Sequence, residues 1–185
     1  MIQIRSSVFE TNSSSSHSLV VKKHSEYYNS EELMIGMWFE DDNAIDIWDD
    51  DDLNFGRAPF RCLETFYEKV KYAIASMCRY SGYEQEQFEK IERLVTEILP
   101  ECKKIKLPKA RWNDDKPYYG YVDENILTPF LEQNNISLRE FLTNKKYVVI
   151  VDGDEYCIWD SLKNSGLVNQ NEIEKEFPDY DSNSF

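Results

Sequence analysis

The residues that build metal sites are scarce in this chain. Its 185 residues include only two histidines, and its four cysteines (Cys62, Cys78, Cys102 and Cys157) are scattered without any Cys-x-x-Cys pair. That spacing excludes an obvious tetrahedral zinc site, so no metal is expected, and the cysteines read as buried thiols in a reducing compartment. No segment approaches the roughly 18 consecutive apolar residues that span a bilayer. The N-terminus lacks the basic-then-apolar layout of a signal peptide. The expected location is therefore the cytoplasm, with no membrane partner. Positive charge is also short: 21 Lys and Arg face 35 Asp and Glu, a formal net charge of −14. Ordinary binding to nucleic acid or to an anionic membrane needs the opposite sign. A partner with a basic surface suits it better.

What is present is ample core material, with 41% hydrophobic and 14% aromatic residues. The length suits one domain. We expect a single α+β domain over residues 1–177, with 178–185 a frayed tail. Residues 2–8 and 19–23 read as two strands of a hairpin. A short helix is expected over 26–35, starting near Ser30, and Met37-Trp38-Phe39 reads as a buried strand or turn. Apolar residues recur at helical spacing over 60–79 and again over 83–99, which predicts a helical hairpin that ends at Pro100. Two further helical patterns span 123–134 and 137–143, the second with Ser137 as N-cap and Glu140 three residues on. Tyr147-Val-Val-Ile-Val151 is the strongest strand, apolar throughout and so central in its sheet. Asp152-Gly153-Asp154 ends it, and 156–165 fits another helix. The elements do not alternate regularly. The fold class is therefore α+β, a small mixed or antiparallel sheet with a helical hairpin on one face.

The first polar constellation is Asn12-Ser13-Ser14-Ser15-Ser16-His17, gripped by apolar segments on both sides. These residues satisfy backbone groups in turns, and their hydroxyls also suit a phosphate, a nucleotide or a partner. Lacking glycine, the loop is neither a phosphate-binding loop nor a dinucleotide fingerprint. Lacking an elbow, it fits a nucleophile worst of all. The run Val8-Phe9-Glu10-Thr11-Asn12-Ser13-Ser14-Ser15-Ser16-His17-Ser18 resembles the N-terminal signature of small proteins from phages and prophages of Gram-positive bacteria. The resemblance covers about the first twenty residues and implies a context, counter-defence in a bacterial host cell. Inhibitors of restriction or CRISPR nucleases belong to that context. It carries no functional residue across.

Three other constellations stand on the residues alone. Residues 40–52 form an acidic block without Lys or Arg. In it Asp46, Asp49, Asp50, Asp51 and Asp52 are interrupted by Ile45, Ile47 and Trp48, and a short strand through Ile45 and Ile47 is expected to pin the block to the body. Extended, Asp49 to Asp52 spans roughly 10 Å at about 3.3 Å per residue, and carboxylates so spaced can stand in for nucleic-acid phosphates. Trp48 and Phe55 are expected as exposed aromatic anchors. The block also fits a solvated acidic loop. A basic-aromatic stretch holds Lys103, Lys104, Lys106, Lys109, Arg111, Trp112 and Lys116. It reads as an edge strand protected by lysines, or as a contact for single-stranded nucleic acid such as a guide RNA. Asp152 and Asp154 read as a turn; the alternative is a pair of carboxylates that act as acid or base or hold Mg²⁺, with the Asp46–Asp52 run completing a two-metal site. Together these features favour a binding protein over an enzyme. It would inhibit a nucleic-acid-handling effector, a CRISPR nuclease among the candidates, through an acidic surface. The alternative is a nucleotide-binding protein or a small phosphoryl- or nucleotidyl-transfer enzyme that uses the Ser/His loop. No cofactor is implied.

Overall fold

The computed structural model describes residues 3–5, 16–22, 24–39, 43–47, 53–55, 61–78, 84–107, 111–113, 116–118, 122 and 126–152. In chain order the elements are β1 (Gln3–Arg5), β2 (Ser16–Val21), α1 (Ser30–Leu33), β3 (Ala44–Asp46), β4 (Arg61–Leu63), α2 (Phe66–Met77) and α3 (Glu84–Ile98). They continue with β5 (Lys104–Lys106), β6 (Arg111–Asn113), β7 (Lys116–Tyr118), α4 (Leu127–Asn134), α5 (Leu138–Thr143) and β8 (Tyr147–Asp152). The fold is α+β. The expected frayed tail and the helix over 156–165 lie outside the described residues.

The main sheet has the order β1-β2-β8-β4 and is antiparallel throughout. β8 is central, as its unbroken apolar run predicts, and Val148, Val149, Ile150 and Val151 are all buried. A strand covered on both faces has no need to alternate apolar with polar residues. β4 corrects an expectation. Residues 60–65 fit the helical spacing, yet Arg61–Leu63 pairs with Val149–Val151. The helix starts only at Thr65, whose side chain accepts from the Glu68 N–H while the Glu68 carboxylate accepts from the Thr65 N–H. That reciprocal cap satisfies two otherwise orphaned donors and fixes the true start.

α2 is the helix about which the others gather. It touches α1, α3, α4 and α5, and most of its residues are buried. α3 is amphipathic: Ile91, Val95 and Leu99 lie in the core, while Glu89, Lys90, Arg93 and Glu97 face water. Ser137 caps α5 as expected, accepting from the Glu140 N–H at 3.1 Å. The Glu140 carboxylate does not return the bond; it serves Tyr27 and Asn144 instead. The short helix α1 starts at Ser30 as expected, capped by Asn29, but it ends at Leu33 and does not fill the expected span 26–35.

A polar knot ties these elements together around Asn144, which is fully buried. Its amide nitrogen donates to Ser25 Oγ (2.6 Å) and Glu140 Oε1 (2.9 Å). Its amide oxygen accepts from the N–H groups of Glu26 (3.3 Å) and Lys146 (3.0 Å). Its main-chain N–H donates to Glu140 O, and its carbonyl accepts from Lys69 Nζ at 2.9 Å. One residue thus joins the segment 25–28, the end of α5, the start of β8 and the buried amine of α2. Asn144→Ala removes four part-buried hydrogen bonds, and we expect it to destabilise the protein by about 2–4 kcal/mol in urea unfolding.

Candidate interaction surface

Of the exposed large hydrophobic side chains among the described residues, all but Tyr27 fall between Met34 and Phe39. Met34, Ile35, Trp38 and Phe39 are exposed, Trp38 by 73% and Ile35 by 53%. Gly36, at φ +79°, makes the turn between α1 and this stretch. The expectation of a buried Met37-Trp38-Phe39 is therefore overturned for Trp38 and Phe39, and only Met37 packs on the core.

A small ribbon holds the stretch in place. Phe39 bridges antiparallel to Ile45, and the Asp46 N–H donates to the Trp38 carbonyl at 3.4 Å. β3 then runs parallel to β5, with Ala44 opposite Lys104, Ile45 opposite Ile105 and Asp46 opposite Lys106. Ile45, Ile47 and Ile105 are buried and pin the ribbon to the core. This is the pinning expected of Ile45 and Ile47. The outer edge of β5 is closed by α3, where Glu92 accepts from the Ile105 N–H at 2.8 Å. One surface thus brings together an apolar strip, Asp46 of the acidic block and part of the basic stretch.

The residues expected to carry function are distributed as follows. Asp46 lies on β3, half-buried, its carbonyl accepting from the Tyr67 hydroxyl at 3.2 Å. Trp48 and Asp49 to Asp52 lie outside the described residues. Phe55 does not stand at the surface: it is 1% exposed and meets Tyr72 edge-on at 5.3 Å, with the Arg61 guanidinium over its ring. Core packing claims it because it follows Leu53, another fully buried residue. Lys103 and Lys104 are exposed and Lys106 half-buried, in the alternation expected of a half-exposed strand. Arg111 and Trp112 belong to a different ladder, the β6–β7 hairpin, and Lys109 lies outside the described residues. The basic stretch is therefore divided between two ladders, and its first part lies beside the acidic block.

The serine loop resolves differently. Ser16 and His17 are strand residues of β2, with Ser16 opposite Asp152 and His17 opposite Val151. Asn12 to Ser15 and Asp154 lie outside the described residues. No family model, curated protein or solved structure matches this chain. The chemistry must therefore be argued from its own residues. Among the described residues no group of three or more His, Cys, Asp or Glu side chains is placed to hold a metal ion. Cys78 and Cys102 are buried and Cys62 half-buried, all three as thiols.

Behind the strip, α1 is held by charge. Lys145 Nζ reaches Glu32 at 2.7 Å and Glu26 at 3.2 Å. The bond from Lys145, with that from the Asn29 N–H, holds the Glu32 carboxyl below the usual carboxylate range. Such exposed pairs contribute little energy but fix direction. Trp38→Ala should shift unfolding stability by no more than about 0.5 kcal/mol, whereas Phe55→Ala should cost about 3–5 kcal/mol in the same urea titration.

Proposed function

We propose that this protein is a non-catalytic binding protein of the phage counter-defence kind. It occupies the basic, nucleic-acid-handling surface of a host effector protein. The observation that carries the reading is the exposed Trp38, held on a ribbon that leads directly into the acidic block. A large aromatic side chain left in water offers a hot-spot anchor once a partner desolvates it. The acidic block that follows it in sequence, in a chain of net charge −14, gives long-range attraction to a basic partner. Lys104 and Lys106, beside Asp46, would restrict how that partner sits. The N-terminal resemblance adds the phage context.

One observation favours a second reading, a nucleotide ligand: Ser16 stands opposite Asp152 at the end of the β2–β8 ladder. Calorimetric titration with ATP and GTP in the presence of Mg²⁺ separates the two. Binding abolished by Ser16→Ala supports the ligand, and the absence of heat removes it.

The test of the main reading is biological. The protein is expressed in bacteria that carry defined restriction or CRISPR defences, and phage plating is counted. We expect plating to recover against one defence, and binding to its purified effector to fall about 30-fold with Trp38→Ala, the scale of a hot-spot truncation. Raising salt from 50 to 300 mM should weaken binding further. Full inhibition by a variant carrying Trp38→Ala with Asp46 and Asp49–Asp52 changed to Asn sinks the proposal.

A further inference from the structure

Lys69 is a fully buried lysine on a helix whose neighbours are mostly apolar. Its Nζ donates to two carbonyls at the end of α5, Asn144 O at 2.9 Å and Phe141 O at 3.4 Å. The rings of Tyr28 and Phe141 lie over it at 5.0 and 5.8 Å. The neighbouring carboxylates are engaged elsewhere. Glu64 pairs with Lys22 from the end of β2, and Glu68 accepts from the N–H groups of Glu64 and Thr65. The Tyr28 hydroxyl donates to the Glu64 carbonyl, which seals the amine beneath the segment 25–28. Glu140 and Lys146 pair with each other at 3.3 Å on the α5 side.

We infer that residues 25–33 form a proton-sensitive strap, seated while Lys69 is an uncharged amine and released when it takes up a proton. Two acceptors match the two hydrogens of a neutral amine. Ring faces and carbonyl dipoles favour a charge, but neither is a counter-ion, and a buried charge without one is costly. Burial, with the Lys22 ammonium adding to it, pushes Lys69 down to about 7; Glu64 and Glu68 oppose the shift. The strap's apolar anchoring is limited to Tyr28 and Leu33, which are only partly buried against the core. Its ties to the α5–β8 turn are polar: the bonds from Tyr28 N to Thr143 O (3.1 Å), from Lys145 N to Glu26 O (2.7 Å), from Glu26 N to Asn144 Oδ1 (3.3 Å), from Asn144 Nδ2 to Ser25 Oγ (2.6 Å) and from the Tyr27 hydroxyl to Glu140 (2.6 Å), the bridge of Tyr27 to Asn144, and the ion pairs of Lys145 with Glu26 and Glu32. When it lifts, Lys69 meets water and recovers its ordinary basicity.

The sign of the effect follows. The amine binds a proton less readily in the seated form than in the open one. Between about pH 7 and the ordinary lysine value, opening takes up one proton, so seating strengthens as pH rises. Below about pH 7 both forms are charged and the dependence flattens. The inference does not depend on the proposed function.

Two measurements on the intact protein test it. In protein labelled with ¹³C and ¹⁵N lysine, the Lys69 side chain should titrate below about pH 9, apart from the surface lysines near the ordinary 10.4. If every lysine titrates above pH 10, the idea is overturned. Hydrogen exchange at the Tyr28 and Lys145 amides, corrected for intrinsic rates, should slow by up to about tenfold per pH unit between pH 7 and 9. Lys69→Met should abolish that slope. An equal slope in the Met variant, or none in the wild type, overturns the proposal, and the wild-type titration decides the matter should the variant fail to fold.

Discussion

The contact between the Lys69 amine and the carbonyl of Asn144 is the constraint on which the rest of the arrangement depends. A helix end leaves carbonyls without partners, and α5 is too short for its packing alone to compensate. The amine of α2 supplies the missing donor from inside the core. In return, the geometry of that donor fixes where α5 ends and β8 begins. The Lys22 N–H binds the Lys146 carbonyl at 2.7 Å, directly beside the register pair Val21–Tyr147. A shift at the knot would therefore move the central strand, and a one-residue slip would exchange the faces of every side chain on it.

Function, on the proposed reading, lies in a second and lighter construction. The ribbon of residues 38–39, β3 and β5 meets the core through Ile45, Ile47 and Ile105, with Trp38 and Lys104 exposed and Asp46 and Lys106 half-buried. Its parts are therefore separable. Removing Trp38 leaves no cavity, because nothing packs around a side chain mostly in water. Removing Ile45 would open the core beneath it.

The sequence shows some of this and hides the rest for physical reasons. β8 is legible because four consecutive apolar, mostly β-branched residues suit only a doubly covered strand. α3 is legible from one apolar stripe, and Ser137 from its position before Leu138. β4 is misread as helix because Leu63 and Phe66 fit both periods, and only the reciprocal Thr65–Glu68 cap separates them. Phe55 and Trp38 exchange roles because hydrophobicity alone does not tell an exposed aromatic residue from a buried one. Of the candidate site, Asp46 and the pinning by Ile45 and Ile47 are visible in the sequence, while the strip at 34–39 is not. The available hint was its direct junction with the acidic block. Lys69 was invisible. A lysine on a helix ordinarily reaches water, and its acceptors lie 72 and 75 residues away in sequence.

An exposed apolar strip raises a question of its own, since such strips promote self-association. The charge of the chain answers it. At a net charge of −14, two copies repel as they approach. On the proposed reading, a partner of opposite sign meets attraction over the same distance and reaches Trp38 already oriented. Acidity and exposed aromatic surface are then one device. The charge decides which surfaces may approach, and the tryptophan decides how long they stay. Either feature alone would be a poor binder: the charge would be screened by salt at roughly 8 Å in physiological solution, and the apolar strip would not discriminate among partners.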